Sequence, residues 1–153
     1  MEHTGEETVL KSCHHSFTRM STILEKEYSI VIYRTSYLSL VTLSYALYRK
    51  SRMAIFPGTV FLTSINYWRN PTNSWRRFID INAVVLSLLY HLYVSWYAEY
   101  GTQYYIVCSV AAAFYPIGYY YHNKKDYWSS TYSHVLLHIV ANLANIILYS
   151  GTV

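Results

Sequence analysis

The chain has 153 residues, room for one domain of ordinary size, with a formal net charge of +4 and two cysteines. Charged residues make up 13%, about half the usual ~25% of a soluble domain, against 53% hydrophobic and 18% aromatic residues, with 19 tyrosines in all. These proportions exclude a disordered tail, a collagen-like or coiled-coil rod and a disulfide-stapled miniprotein.

Residues 1–27 read as an amphipathic N-terminal helix at the membrane interface, or as one packed on its own domain or a partner. Thr4 and Glu7 fit a capping box. Val9, Cys13, Phe17, Met20 and Leu24 then recur at steps of three and four, the spacing of one helical face. This segment carries charges throughout and has no apolar core region, so the first span is expected to direct insertion. Cys13 in this polar segment and Cys108 in an apolar run are not expected to pair.

Residues 28–153 read as a transmembrane helical bundle, all-α and polytopic. Mean hydropathy is only +0.10, but tyrosine scores as polar although it gathers at bilayer interfaces. The distribution of charge is more telling. Ile81–Ala98, Tyr100–Asn123 and Tyr127–Val153 contain no Asp, Glu, Lys or Arg over 18, 24 and 27 residues. A bilayer span needs about 20 apolar residues. Five spans are predicted, about 28–48, 53–68, 78–98, 102–121 and 131–149. The second is short and opens on Pro57-Gly58, so it either crosses or dips in without crossing, which would leave four spans. Pro116 is expected to kink the fourth.

With five crossings, Lys11, Arg19, Lys26, Arg69, Arg76, Arg77, Lys124 and Lys125 share the N-terminal side. The other side has Arg49, Lys50 and Arg52, so the N-terminus is expected to be cytoplasmic. Trp68, Trp75, Tyr119, Tyr120, Tyr121, Tyr127 and Trp128 would form one aromatic belt, and Tyr45, Tyr48, Tyr97, Tyr100, Tyr104 and Tyr105 the other. The basic residues form no stripe, so nucleic acid is not an expected partner. The expected partners are the lipid bilayer and other membrane subunits, in a membrane the sequence does not name.

Ionisable groups inside spans are costly and mark sites by default. The third span carries Asp80, Ser87, His91 and Ser95 within about 80° of one another, and the fifth carries His134, His138, Asn142 and Asn145 in a similar arc. Two polar seams facing the bundle interior are expected. Depth at ~1.5 Å per residue brings Ser64, Asp80, His134 and His138 together near the cytoplasmic face, with His91 too deep to join them. The H-x3-H pair His134 and His138 suits zinc, with Asp80 as third ligand or as the group fixing a histidine tautomer. A zinc-bound water would then be the nucleophile. The alternative is a hydrogen-bonded seam, with Ser87, His91, Asn142 and Asn145, that fixes helix packing.

This constellation resembles the CREST superfamily, which includes alkaline ceramidases, progestin/adipoQ receptors and Per1-like membrane proteins. The resemblance rests on Ser64 in SINYW, Asp80 in RRFID, and His134 with His138 in HVLLH. It implies zinc on the two histidines, with Asp80 and Ser64 supporting a metal-bound water that cleaves lipid amides or esters. Trp68 stands where that superfamily has its first zinc histidine, and five spans stand against its seven.

Three functions follow. The foremost is a non-enzymatic scaffold or accessory subunit of a larger membrane assembly, in an organelle or a virion membrane. Ser109, Ala111, Ala112 and Ala113 would permit close helix approach in such a role. The alternative is a zinc-dependent lipid hydrolase with its site near the cytoplasmic face. A carrier or proton relay is weaker, because no second acid lies deep in a span and no inverted repeat is visible. Soluble-enzyme motifs are missing: there is no G-x-S-x-G, phosphate loop or dinucleotide fingerprint.

Overall fold

A computed structural model describes residues 22–152. They form an all-helical bundle, and no strand occurs among them. The elements are α1 (Lys26–Thr35), α2 (Leu38–Tyr48), a 3-10 turn (Arg52–Ala54), α3 (Ile55–Trp68), α4 (Trp75–Ser95), α5 (Gly101–Asn123) and α6 (Tyr127–Ser150). Of the N-terminal helix expected over 1–27, residues 1–21, Cys13 among them, lie outside the described residues, whereas 22–25 are not helical and Lys26 and Glu27 open α1.

Helices α1 and α2 are two halves of one apolar rod, broken at Ser36-Tyr37. The Thr35 and Ser36 hydroxyls both bond back to the Ile32 carbonyl, at 2.9 and 3.1 Å, and such back-bonding bends helices. Tyr37, Ser39 and Leu40 then donate to carbonyls three residues earlier, which tightens the turn. Ser29, Ile32, Ser36, Ser39, Thr42 and Ala46 form a buried stripe along the rod, at steps of three and four.

The second predicted span is a continuous helix. Pro57 is the third residue of α3, where its missing N–H belongs to the unpaired first turn. At 14 residues α3 measures about 21 Å, and the preceding 3-10 turn adds roughly 6 Å. Its far end returns to where the described chain begins, since the Ile23 amide donates to the Pro71 carbonyl at 3.0 Å.

Aromatic contacts join Tyr28 to Tyr127 and Trp128 at this same end, with ring centroids 5.6 and 4.9 Å apart. At the opposite end Arg49 donates to the Tyr149 and Ser150 carbonyls at 3.3 and 2.8 Å, capping the C-terminus of α6. The five rods therefore alternate in direction, up, down, up, down, up.

Span boundaries shift at the ends. Helix α4 starts at Trp75, one turn earlier than predicted, and stops at Ser95, where α5 turns back so tightly that a Cβ on Gly101 would lie 1.9 Å from the Ser95 carbonyl oxygen. Helix α5 runs unbroken through Pro116. Helix α6 starts four residues early because the Asp126 carboxylate accepts the Ser129 amide at 3.1 Å, a side-chain N-cap. Those Ser129 bonds hold the Asp126 carboxyl below the usual range. Two lysines take the left-handed conformation that ends a helix, Lys50 at φ 53° and Lys125 at φ 62°.

Three rods, Lys26–Tyr48, Trp75–Ser95 and Tyr127–Ser150, are long and apolar enough to cross a membrane. The distribution of polarity points the same way. Among the described residues eleven polar or charged side chains are buried, against twelve apolar ones. The outward face of α4 shows Ile81, Val85, Leu86, Leu89 and Tyr93. A water-soluble bundle would reverse this arrangement. Exposed aromatics gather at both ends, with Trp75, Tyr119, Tyr120 and Trp128 at one and Tyr48, Trp96 and Tyr97 at the other. Tyr104 departs from its expected belt position, because it faces His91 and is 1% exposed.

Candidate functional site

The polar residues singled out by sequence separate into three clusters. The first joins α3 to α4. Asp80, 7% exposed, accepts the Ser64 hydroxyl at 2.7 Å through Oδ1. The Thr63 hydroxyl lies 3.0 Å from the same oxygen and 3.1 Å from the Val60 carbonyl. It has one proton, so it donates to one acceptor at a time, and Ser64 is the steadier partner. Two hydroxyls from one turn of α3 thus meet a carboxylate in the second turn of α4. That contact fixes the two helices in register, because an unpaired buried carboxylate is costly.

The second cluster lies on α6 and faces α1, α2 and the end of α3. His134 and His138, one turn apart, have ring centroids separated by 4.8 Å. Trp68 sits edge-on against His134 at 5.0 Å. One turn further, the Asn142 amide donates to the His138 carbonyl at 2.8 Å, and its Oδ1 accepts from Thr42 at 2.6 Å. Asn145 is half-buried on the same face.

The third cluster surrounds His91, which is 1% exposed. Its Nδ1 lies 2.6 Å from the Ser87 carbonyl and 3.4 Å from the Ser87 hydroxyl, while Nε2 meets the Tyr149 hydroxyl at 2.5 Å. A carbonyl only accepts, so Nδ1 carries the proton of the neutral ring and Nε2 accepts from Tyr149. Phe56, Tyr104 and Tyr149 wall the imidazole.

The α4 stripe pairs with α3 through Asp80 and with the end of α6 through His91 and Tyr149, whereas Asn142 of α6 pairs with α2. Ser64 and Asp80 meet each other, and His134 and His138 meet each other. Trp68, one turn after Ser64, is what touches His134. Among the described residues no three of His, Cys, Asp and Glu are grouped as a metal site. Two imidazoles fall short of the three or four protein ligands zinc normally takes, and both Asp80 contacts are hydroxyls of α3. The donor set does not fit zinc.

Sequence reasoning left out Tyr149, Thr42 and Thr63. The first two were within reach. Tyr149 continues the stripe His138, Asn142, Asn145 at a step of four, and Thr42 continues the small-residue stripe of the first rod.

Outside the helices, Glu99 holds the end of the described chain. Its carboxylate accepts the Thr152 amide at 3.1 Å and the Thr152 hydroxyl at 3.2 Å, while its own amide donates to the Thr152 carbonyl at 3.1 Å. The bonds from Thr152 hold the Glu99 carboxyl below its ordinary range. No protein-family model, curated protein or solved structure matches this chain.

Proposed function

We propose that this chain is a small multi-pass integral membrane protein in which all five rods cross the bilayer, with the N-terminus cytoplasmic. It acts there as a non-enzymatic scaffold or accessory subunit of a larger membrane assembly. The observation that carries this reading is that polar bonds buried in the bundle run between helices. Each cluster contains a short hydrogen bond, Ser64 to Asp80, Thr42 to Asn142 and Tyr149 to His91, and each of these bonds ties one helix to another. Such pairs fix helix register in a medium where apolar surfaces gain little by meeting. The close seam between α5 and α6 serves the same end, since a Cβ on Gly118 would lie 3.3 Å from the Ser133 Cβ.

One arrangement favours a second reading, a CREST-like lipid amide or ester hydrolase near the cytoplasmic face. Ser64 and Asp80 are bonded, and a paired His134 and His138 lie behind Trp68, one turn from Ser64. Metal analysis of the detergent-purified chain beside His134→Ala separates the two. The scaffold reading expects less than one metal per chain in both proteins and co-migration with partner subunits on native gels. Stoichiometric zinc in the wild type that disappears in the variant would reverse the ranking. Membrane placement is tested separately, by resistance to alkaline extraction.

A further inference from the structure

Between the first two turns of α1 and the end of α3 runs a groove of about 330 Å³, lined by Lys26, Ser29, Ile30, Tyr33, Trp68 and Arg69. Its walls follow from helical spacing, since Lys26, Ser29, Ile30 and Tyr33 recur at the three- and four-residue steps of one face. The chemistry changes along the groove. Lys26 is the first residue of α1 and Arg69 the residue just past α3, so both cations stand at the end of the bundle. Tyr33 lies seven residues further along α1, about 10 Å deeper. Ile30, Tyr33 and the Trp68 indole supply the apolar wall there. A groove with two cations at its mouth and an apolar floor running along a membrane helix matches one kind of molecule, a phosphate headgroup carrying acyl chains.

We propose that this groove binds an anionic glycerophospholipid, with the phosphate between Lys26 and Arg69 and an acyl chain along Ile30 and Trp68. Its volume lies at the small end of ligand-sized cavities, enough for a headgroup and the start of one chain. The bound lipid bridges α1 and α3 beside Trp68, which packs on His134, so occupancy reaches the second polar cluster through one ring. This assignment rests on the membrane placement proposed above but not on the scaffold role, and it stands whether or not the histidines hold a metal.

The test is native mass spectrometry of the full chain in detergent, titrated with dioctanoyl phosphatidylglycerol. Parallel arms use dioctanoyl phosphatidylcholine and inorganic phosphate. Lys26→Gln with Arg69→Gln is expected to weaken phosphatidylglycerol binding by about 30-fold, the weight of two cations at a membrane surface. The charge-keeping pair Lys26→Arg with Arg69→Lys is expected to retain binding, which separates lost charge from lost fold. Lys124→Gln with Lys125→Gln, on the same end but outside the groove, is expected to leave it unchanged. Equal loss in that control pair overturns the proposal in favour of diffuse attraction. Equal affinity for phosphatidylcholine overturns it too. Displacement of the lipid by equimolar inorganic phosphate overturns it in favour of a free-anion site.

Discussion

Replacing Tyr149 by Phe removes one oxygen from the bundle and leaves His91 Nε2 without a donor. Both residues are essentially buried, at 2% and 1% exposed, so water does not take over the bond. Two magnitudes compete. An orphaned buried acceptor costs about 1–3 kcal/mol in a soluble protein. In a bilayer the unfolded chain finds other partners, and measured bonds average about 0.6 and reach about 1.7 kcal/mol. The 2.5 Å contact and the closed aromatic wall place this pair at the upper end, so Tyr149→Phe is expected to cost about 1.5 kcal/mol. His91→Leu adds the loss of ring packing against Phe56 and Tyr104, for a total of about 2–3 kcal/mol. The double variant orphans neither partner, and the two single costs are expected to exceed the double by about 1 kcal/mol. Reversible unfolding in mixed micelles of sodium dodecyl sulfate measures all four species. Strict additivity, or a Tyr149→Phe variant within about 0.3 kcal/mol of wild type, would refute the reasoning. Nitrogen NMR gives an independent check, with the proton expected on Nδ1 of His91 in the wild type.

Among the described glycines, the two that contact other elements least and most respond oppositely to a methyl group. Gly58→Ala meets only Leu43 side-chain carbons at 3.7 Å and is expected to stabilise by about 0.5–1 kcal/mol. Gly101→Ala drives a Cβ to 1.9 Å from a backbone oxygen and is expected to cost about 3 kcal/mol, visible as a lower melting temperature in detergent. Lys125→Gly, at φ 62°, trades a left-handed penalty of about 1–2 kcal/mol for glycine's extra unfolded entropy and is expected to gain about 0.5 kcal/mol by the same unfolding assay. Because the folded Glu99 pKa is depressed, its stabilisation is present above the unfolded pKa and lost as pH falls through the lower, folded one. The melting difference between wild type and Glu99→Gln is therefore expected at neutral pH and absent in strong acid. A difference that persists there would count against the Thr152 contact.

Much of the arrangement was legible in the residues alone. Uncharged runs flanked by Lys, Arg and aromatic residues dictate long apolar helices, because backbone polar groups in hydrocarbon must be satisfied within the segment. Those runs also fix which residues share a face. Asp80, Ser87 and His91 fall on one stripe of α4 by helical period, and all three are buried. Ser64 and Asp80 belong together by depth and direction, and they touch.

Which stripe meets which was decided only by the tertiary structure. Helical period gives the angle of a residue on its own rod, but not the rotation of that rod in the bundle or the identity of its neighbour. Tyr149 was therefore assigned no role although it continues the α6 stripe, and it is the residue that reaches His91. The break at Ser36-Tyr37 had the same origin. Thr35 and Ser36 bond back to the Ile32 carbonyl, and beyond the turn Thr42 reaches Asn142, 100 residues away in sequence. Periodicity is a property of one helix, whereas a polar contact between helices depends on crossing angle and side-chain length at two places at once.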